Sequence, residues 1–179
     1  MRLFISIEIS EQLKDKITEI QKVFSRPGIK LVERNNLHFC LMFIGDVDKN
    51  RLDMIKGAMQ KSAQMTKGFD IKIAGMGAFP NKESASVFFL DLKDGRKDMI
   101  KLALLLRKEL PEFKSGKPFT PHLTLGRVKN DNDKLKSILE RFENIDIGKM
   151  SVDKIELIKS TLTPQGPIYE EIYAVSLGI

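Results

Sequence analysis

The chain has 179 residues, with 30 Lys and Arg against 24 Asp and Glu, and 42% of its side chains are hydrophobic. A globule of this length buries roughly 70% of its unfolded surface without a disulfide or metal staple, and the single cysteine, Cys40, excludes a disulfide scaffold. No apolar run approaches the roughly 18 residues of a membrane span. Glu8 interrupts the N-terminal segment too early for a signal peptide, so a cytoplasmic protein is expected.

The net charge of +6 and isoelectric point near 9.3 tilt the chain toward polyanionic partners, although the same surplus occurs in proteins that bind nothing acidic. With 11 Phe, 2 Tyr and no Trp, a broad base-stacking platform is not expected. No low-complexity linker divides the sequence.

The opening residues alternate as a strand over Arg2 to Ile9, and Ser10 is placed to cap a helix. Leu13, Ile17, Ile20 and Phe24 then recur at helical spacing until Pro27-Gly28. A strand over Leu37 to Ile44 is closed by Gly45-Asp46, and a helix follows with Leu52, Ile55, Met59 and Ala63 inward. Phe69 to Phe79 reads as a strand in which Gly75 and Gly77 mark a bulge or bend, with Ser84 to Leu92 as its partner.

A helix is predicted from Lys97 to Leu110 with Ile100, Leu104 and Leu105 facing the core. His122 to Val128 reads as a strand and Asp131 to Phe142 as a short helix. The strands Ile155 to Thr161 and Ile168 to Leu177 flank the turn Thr163-Pro164-Gln165-Gly166-Pro167. The fold class is α+β with antiparallel or mixed sheets.

The two histidines, His38 and His122, lie in similar segments, Leu37-His38-Phe39-Cys40-Leu41 and Pro121-His122-Leu123-Thr124-Leu125. Their separation of 84 positions is nearly half the chain and hints at two related halves. On a strand, side chains two apart share a face, about 6–7 Å apart. His38 then pairs with Cys40 and His122 with Thr124, while Phe39, Leu41, Leu123 and Leu125 turn toward the core.

Two such pairs facing across a cleft hold one phosphate, with one imidazole taking a proton and the other donating one. A single strand histidine is more often a structural residue, and only the repetition argues for a site. Phe43 and Arg127 each lie five positions after their histidine, the wrong parity for the same face. A bulge at Gly126 would bring Arg127 inward. Phe43 has no such helper, and strand parity assigns it to the core. Lys108, Lys114 and Lys117, with Lys129 and Lys149, form either a solvated surface or a guide for an RNA backbone. Ligand spacings for a metal site are lacking, so neither metal nor other cofactor is expected.

The paired motifs resemble those of the 2H phosphoesterase superfamily, and within it the 2′-5′ RNA ligase family, whose members are also described as RNA 2′,3′-cyclic phosphodiesterases. The likeness extends from Arg2-Leu3-Phe4-Ile5 through Phe43, Gly45, Gly77 to Pro80 and Arg127 to the ending Ser160 to Tyr169. It implies a single two-lobed domain over 1–179, with antiparallel sheets, outer helices and one motif from each lobe at a central cleft.

The resemblance further implies that His38 is the proton donor and His122 the proton acceptor, that Thr124 and Arg127 bind phosphate, and that Phe43 stacks on the terminal base. Cys40 replaces the first motif's Thr, and a thiol is a poorer hydrogen-bond donor than a hydroxyl. The implied reaction opens a 2′,3′-cyclic phosphate at an RNA end to a 2′-phosphomonoester, with tRNA fragments among the candidate partners, no membrane, and a monomeric enzyme. With a 5′-hydroxyl end in place of water the same machinery joins RNA through a 2′-5′ linkage. Two alternatives stay open: a module that binds RNA ends with little catalysis, and an enzyme for a small cyclic nucleotide. If the thiol merely weakens phosphate binding, Cys40→Thr matches or exceeds the native turnover; a fall of about tenfold or more gives the thiol a role of its own.

Overall fold

The computed structural model describes residues 1–113, 115–130 and 133–178. Strand β1 (Arg2–Glu8) is buried from Leu3 to Ile7 because it lies between two other strands, with one face on the core and the other on a cleft. In helix α1 (Glu11–Gln21) and the 3-10 turn Lys22–Phe24 that continues it, Leu13, Ile17 and Phe24 are buried as their spacing requires. Ser10 stands at the N-cap but makes no side-chain capping bond.

Strand β2 (Ile29–Leu31) is too short to show alternation and is not legible in the sequence. β3 (His38–Asp46) runs on through Gly45-Asp46, which the sequence reads as its end. Helix α2 (Leu52–Gln64) buries Ile55, Met59 and Ala63. β4 (Phe69–Phe79) bulges at Gly75, where φ is +88° and its register with β5 (Val87–Asp94) slips between Ile73 and Met76. Gly77 instead makes room for the Phe89 ring, since a Cβ there would stand 2.8 Å from it.

Helix α3 (Arg96–Glu109) buries Met99, Leu102, Ala103 and Leu106, not the Ile100, Leu104 and Leu105 stripe; Leu104 is 55% exposed. Residues 99–106 are apolar on more than one face, so helical spacing admits two stripes. Packing against α2 and β3 selects the one that is buried.

After β6 (Leu123–Val128) comes α4 (Asp133–Arg141); Asp131, the expected start of this helix, lies outside the described residues. β7 (Asp146–Val152), with only Ile147 and Val152 buried, was not legible as a strand. β8 (Lys154–Thr163) and β9 (Gly166–Ser176) form the closing hairpin around Pro164-Gln165.

The strands form two antiparallel sheets, a four-stranded one in the order β3-β1-β8-β9 and a five-stranded one in the order β2-β6-β5-β4-β7. Helices α2 and α3 lie on the first sheet, α1 and α4 on the second, and the two sheets approach each other at β3 and β6. The sheets are not sequence halves, because β1 and the hairpin β8–β9 belong to the same one. Buried apolar side chains from both sheets, including Leu3, Leu41, Leu90 and Leu125, form one contiguous core. Among the described residues no helix is long and apolar enough to cross a membrane.

Close packing is tightest beside the second motif. A Cβ on Gly126 would stand 2.7 Å from two carbons of the Phe88 ring, which is itself wholly buried and has nowhere to move. Gly126→Ala is therefore expected to destabilise the fold by about 1–3 kcal/mol, read as a lower urea midpoint at unchanged m.

Candidate active site

Both motif strands slip register at the same place. On β3, Ser6 pairs with Cys40 while Ile5 pairs with Met42, so Leu41 is an extra residue. On β6, Phe89 pairs with Thr124 while Phe88 pairs with Gly126, so Leu125 is extra. A one-residue bulge reverses the alternation of faces beyond it. His38, Cys40 and Phe43 thus all line one cleft, as do His122, Thr124 and Arg127. Phe39, Leu41, Leu123 and Leu125 are buried on the other side.

This arrangement corrects the parity reading of Phe43. It is 51% exposed and lines the cleft, because β3 carries a bulge that nothing in its own composition announces. For Arg127 the bulge comes one residue earlier than Gly126, with the same result.

The carbonyl of the extra residue Leu125 accepts the Val32 backbone N–H at 2.8 Å. It also accepts the buried Gln21 Nε2 at 3.0 Å, so α1 anchors the slipped strand.

The imidazoles are held alike. His38 Nδ1 lies 2.7 Å from the carbonyl oxygen of Asn36, and His122 Nδ1 lies 2.7 Å from that of Thr120. A carbonyl only accepts, so each Nδ1 carries a hydrogen and each Nε2 is left for the cleft. Asn36 also donates through Nδ2 to the Pro167 carbonyl at 3.0 Å, tying the approach to His38 to the β8–β9 hairpin.

Two aromatic rings flank each imidazole. Phe4 and Tyr169 stand 4.9 and 5.5 Å from His38, and Phe79 and Phe89 stand 5.1 and 5.5 Å from His122. Burial pushes the His38 pKa below its ordinary value, against its backbone bond to Asn36 and helped by the nearby His122. Burial likewise raises the Cys40 thiol to about 12, so at neutral pH it is an S–H donor and not a thiolate.

The cleft holds about 660 Å³. Its walls add Arg2 and Phe4 from β1, Lys30 from β2, Glu33, and Ser160, Leu162, Pro167 and Tyr169 from the closing hairpin. The Arg2 guanidinium lies 5.1 Å above the centre of the Phe43 ring, an open cation–π pair. Among the described residues no group of three or more His, Cys, Asp or Glu is placed to hold a metal ion.

Sequence reasoning missed Arg2, Lys30 and Tyr169 as cleft residues. Alternation places Arg2 and Phe4 on one face of β1 but does not say that this face meets the histidines. Of the lysines singled out in the sequence, Lys108, Lys117, Lys129 and Lys149 do not line the cleft, and Lys114 lies outside the described residues.

A cleft between two antiparallel sheets, with one histidine motif from each, defines a two-histidine α+β protein. The chain belongs to the 2′-5′ RNA ligase superfamily, whose family model matches residues 9–163. It is 38% identical over 176 residues to the RNA 2′,3′-cyclic phosphodiesterase of Methanocaldococcus jannaschii, spanning 96% of this chain and 98% of that protein. To the RNA 2′,3′-cyclic phosphodiesterase of Archaeoglobus fulgidus it is 34% identical with the same coverage. A crystal structure from Thermus thermophilus superposes with a TM-score of 0.85 at 28% identity, covering 99% of this chain and 98% of that one. Escherichia coli LigT shares the fold, with a TM-score of 0.80 at 21% identity over 99% of this chain and 98% of its own.

The lowered His38 pKa has a consequence for stability. As pH falls through 6.5, the ordinary histidine value, the unfolded chain takes up a proton that folded His38 refuses. Stability contributed by His38 is therefore present above 6.5 and is lost as pH falls toward the folded pKa. An NMR titration of His38 is expected to give a midpoint below 6.5, and His38→Gln is expected to flatten urea stability against pH in that window.

Proposed function

We propose that this chain is a phosphodiesterase that opens 2′,3′-cyclic phosphates at RNA ends, leaving a 2′-phosphomonoester, with His38 as proton donor and His122 as proton acceptor. The observation that carries the reading is the pair of imidazoles. Each is locked by an Nδ1–H bond to the carbonyl two residues upstream and turned toward one cleft shared by two sheets. Relatives of nearly equal length, named RNA 2′,3′-cyclic phosphodiesterase at 38% and 34% identity, support the substrate class.

In this scheme His122 Nε2 accepts a proton from water as the water oxygen bonds to phosphorus. The bond from phosphorus to the 3′-oxygen breaks in line with the attack. The departing oxygen takes the Nε2 proton of His38, and the 2′-ester bond is kept. Negative charge builds on the non-bridging oxygens, where the Thr124 hydroxyl, the Arg127 guanidinium and the Cys40 S–H are hydrogen-bond donors. Phe43, backed by Arg2, offers the terminal base a ring face.

Burial keeps free His38 neutral, whereas a donor must begin protonated. The incoming phosphate supplies the opposite charge that favours the imidazolium, so proton uptake accompanies substrate binding. With a 5′-hydroxyl end replacing water, the same step forms a 2′-5′ linkage. The whole chain acts in this reading as one two-lobed unit and as a monomer, since one chain supplies both motifs.

The test is a short RNA ending in 2′,3′-cyclic phosphate, incubated with the protein in excess EDTA, with the product ends mapped. Conversion to 2′-phosphate is expected, and His38→Ala and His122→Ala are each expected to lower turnover by about 10²–10⁴-fold with unchanged circular dichroism. Near-normal turnover in both variants overturns the mechanism. An unchanged cyclic end with steeply salt-dependent RNA binding marks an RNA-end binding module instead.

A further inference from the structure

Lys30 has no established task in the cleft, and its position is unusual for a surface lysine. It lies directly opposite Arg127 in the antiparallel pairing of β2 with β6, and both side chains line the cleft. Cβ atoms of directly opposed residues are about 4.5–5.5 Å apart, and like charges there are destabilising. Among the described residues neither Lys30 nor Arg127 takes part in an ion pair. Glu33 shares the rim. Its Oε1 and the Lys30 Nζ each stand 3.7 Å from the point where a Cβ on Gly166 would be, yet the two do not form an ion pair. Two cations side by side, neither held in an ion pair, suit an anion with more than one charged group.

β2 is the edge strand of its sheet, and Lys30 is an exposed residue of the cleft wall. Phe43 and Arg2 belong to the opposite lobe. With the terminal base against Phe43 and the reacting phosphate held near Arg127, the 5′ continuation of an RNA chain leaves past Lys30. We infer that Lys30 forms a subsite for the internucleotide phosphate next to the cyclic end, so that the cleft prefers oligonucleotides to cyclic mononucleotides. This inference rests on reading the cleft as an RNA-end site, and it adds which part of the RNA beyond the reacting group is bound.

The test measures binding, so that it does not depend on turnover. Two dinucleotides ending in 2′-phosphate are compared, one with a natural phosphodiester linkage and one with an uncharged methylphosphonate. Lys30→Ala is expected to weaken the natural dinucleotide about three- to fivefold at low salt and to leave the methylphosphonate dinucleotide unaffected, with Lys30→Arg retaining the affinity. The kcat/KM preference for a cyclic-ended dinucleotide over a cyclic mononucleotide is expected to fall in Lys30→Ala by the same factor. Equal losses on both linkages, no loss on either, or no binding of the natural dinucleotide by the native protein overturns the subsite. If the linkage-dependent loss is found but cyclic ends are not hydrolysed, the subsite stands and the phosphodiesterase reading falls.

Discussion

Six consecutive strand residues can present three side chains to one cleft at spacings of two and three only if the alternation of faces slips once. Both motif strands make that slip at the residue three positions after the histidine, Leu41 on β3 and Leu125 on β6. The places of Phe43 and Arg127 in the cleft depend on it. Without the slip, Phe43 and Arg127 would turn toward the core face, and the imidazoles would lack both the aromatic platform and the guanidinium beside them. The extra residues remain apolar and buried, so each bulge is held by packing. On β6 the Gln21 side chain also satisfies the carbonyl of the extra residue.

Placement of the two motifs on different sheets has an electrostatic effect. Two rings stand beside each histidine, and the proximity of His122 adds to the burial that disfavours a proton on His38. Arg2, Lys30 and Arg127 stand on the cleft walls against the single carboxylate of Glu33. An opposite charge brought close to His38 would favour its protonated form, against the burial that lowers its pKa. Cys40 fits the same scheme as a neutral donor, since its burial keeps the thiol protonated.

The α3 helix shows how far local pattern reaches. Its existence and length are plain from the sequence, but the buried stripe is Met99, Leu102, Ala103 and Leu106 and not the neighbouring Ile100, Leu104 and Leu105. Both stripes satisfy helical spacing, and only the surfaces of α2 and β3 distinguish them. β2 and β7 failed to register for a different reason. Three residues cannot show a period, and β7 has too few apolar positions to stand out from a loop.

From the sequence alone came the histidine pairs, their Cys40 and Thr124 companions, the core-facing residues between them and most of the strands and helices, because period-2 and helical spacing are local properties of the chain. The same reading extended to the family, through two motifs in order with matching flanks. Only the tertiary structure decided that Phe43 enters the cleft, that Lys30 faces Arg127, and that Tyr169 and Phe4 flank His38. Each of these depends on register between strands distant in sequence. Register is set by pairing and packing across the whole core, so no window of the sequence contains it.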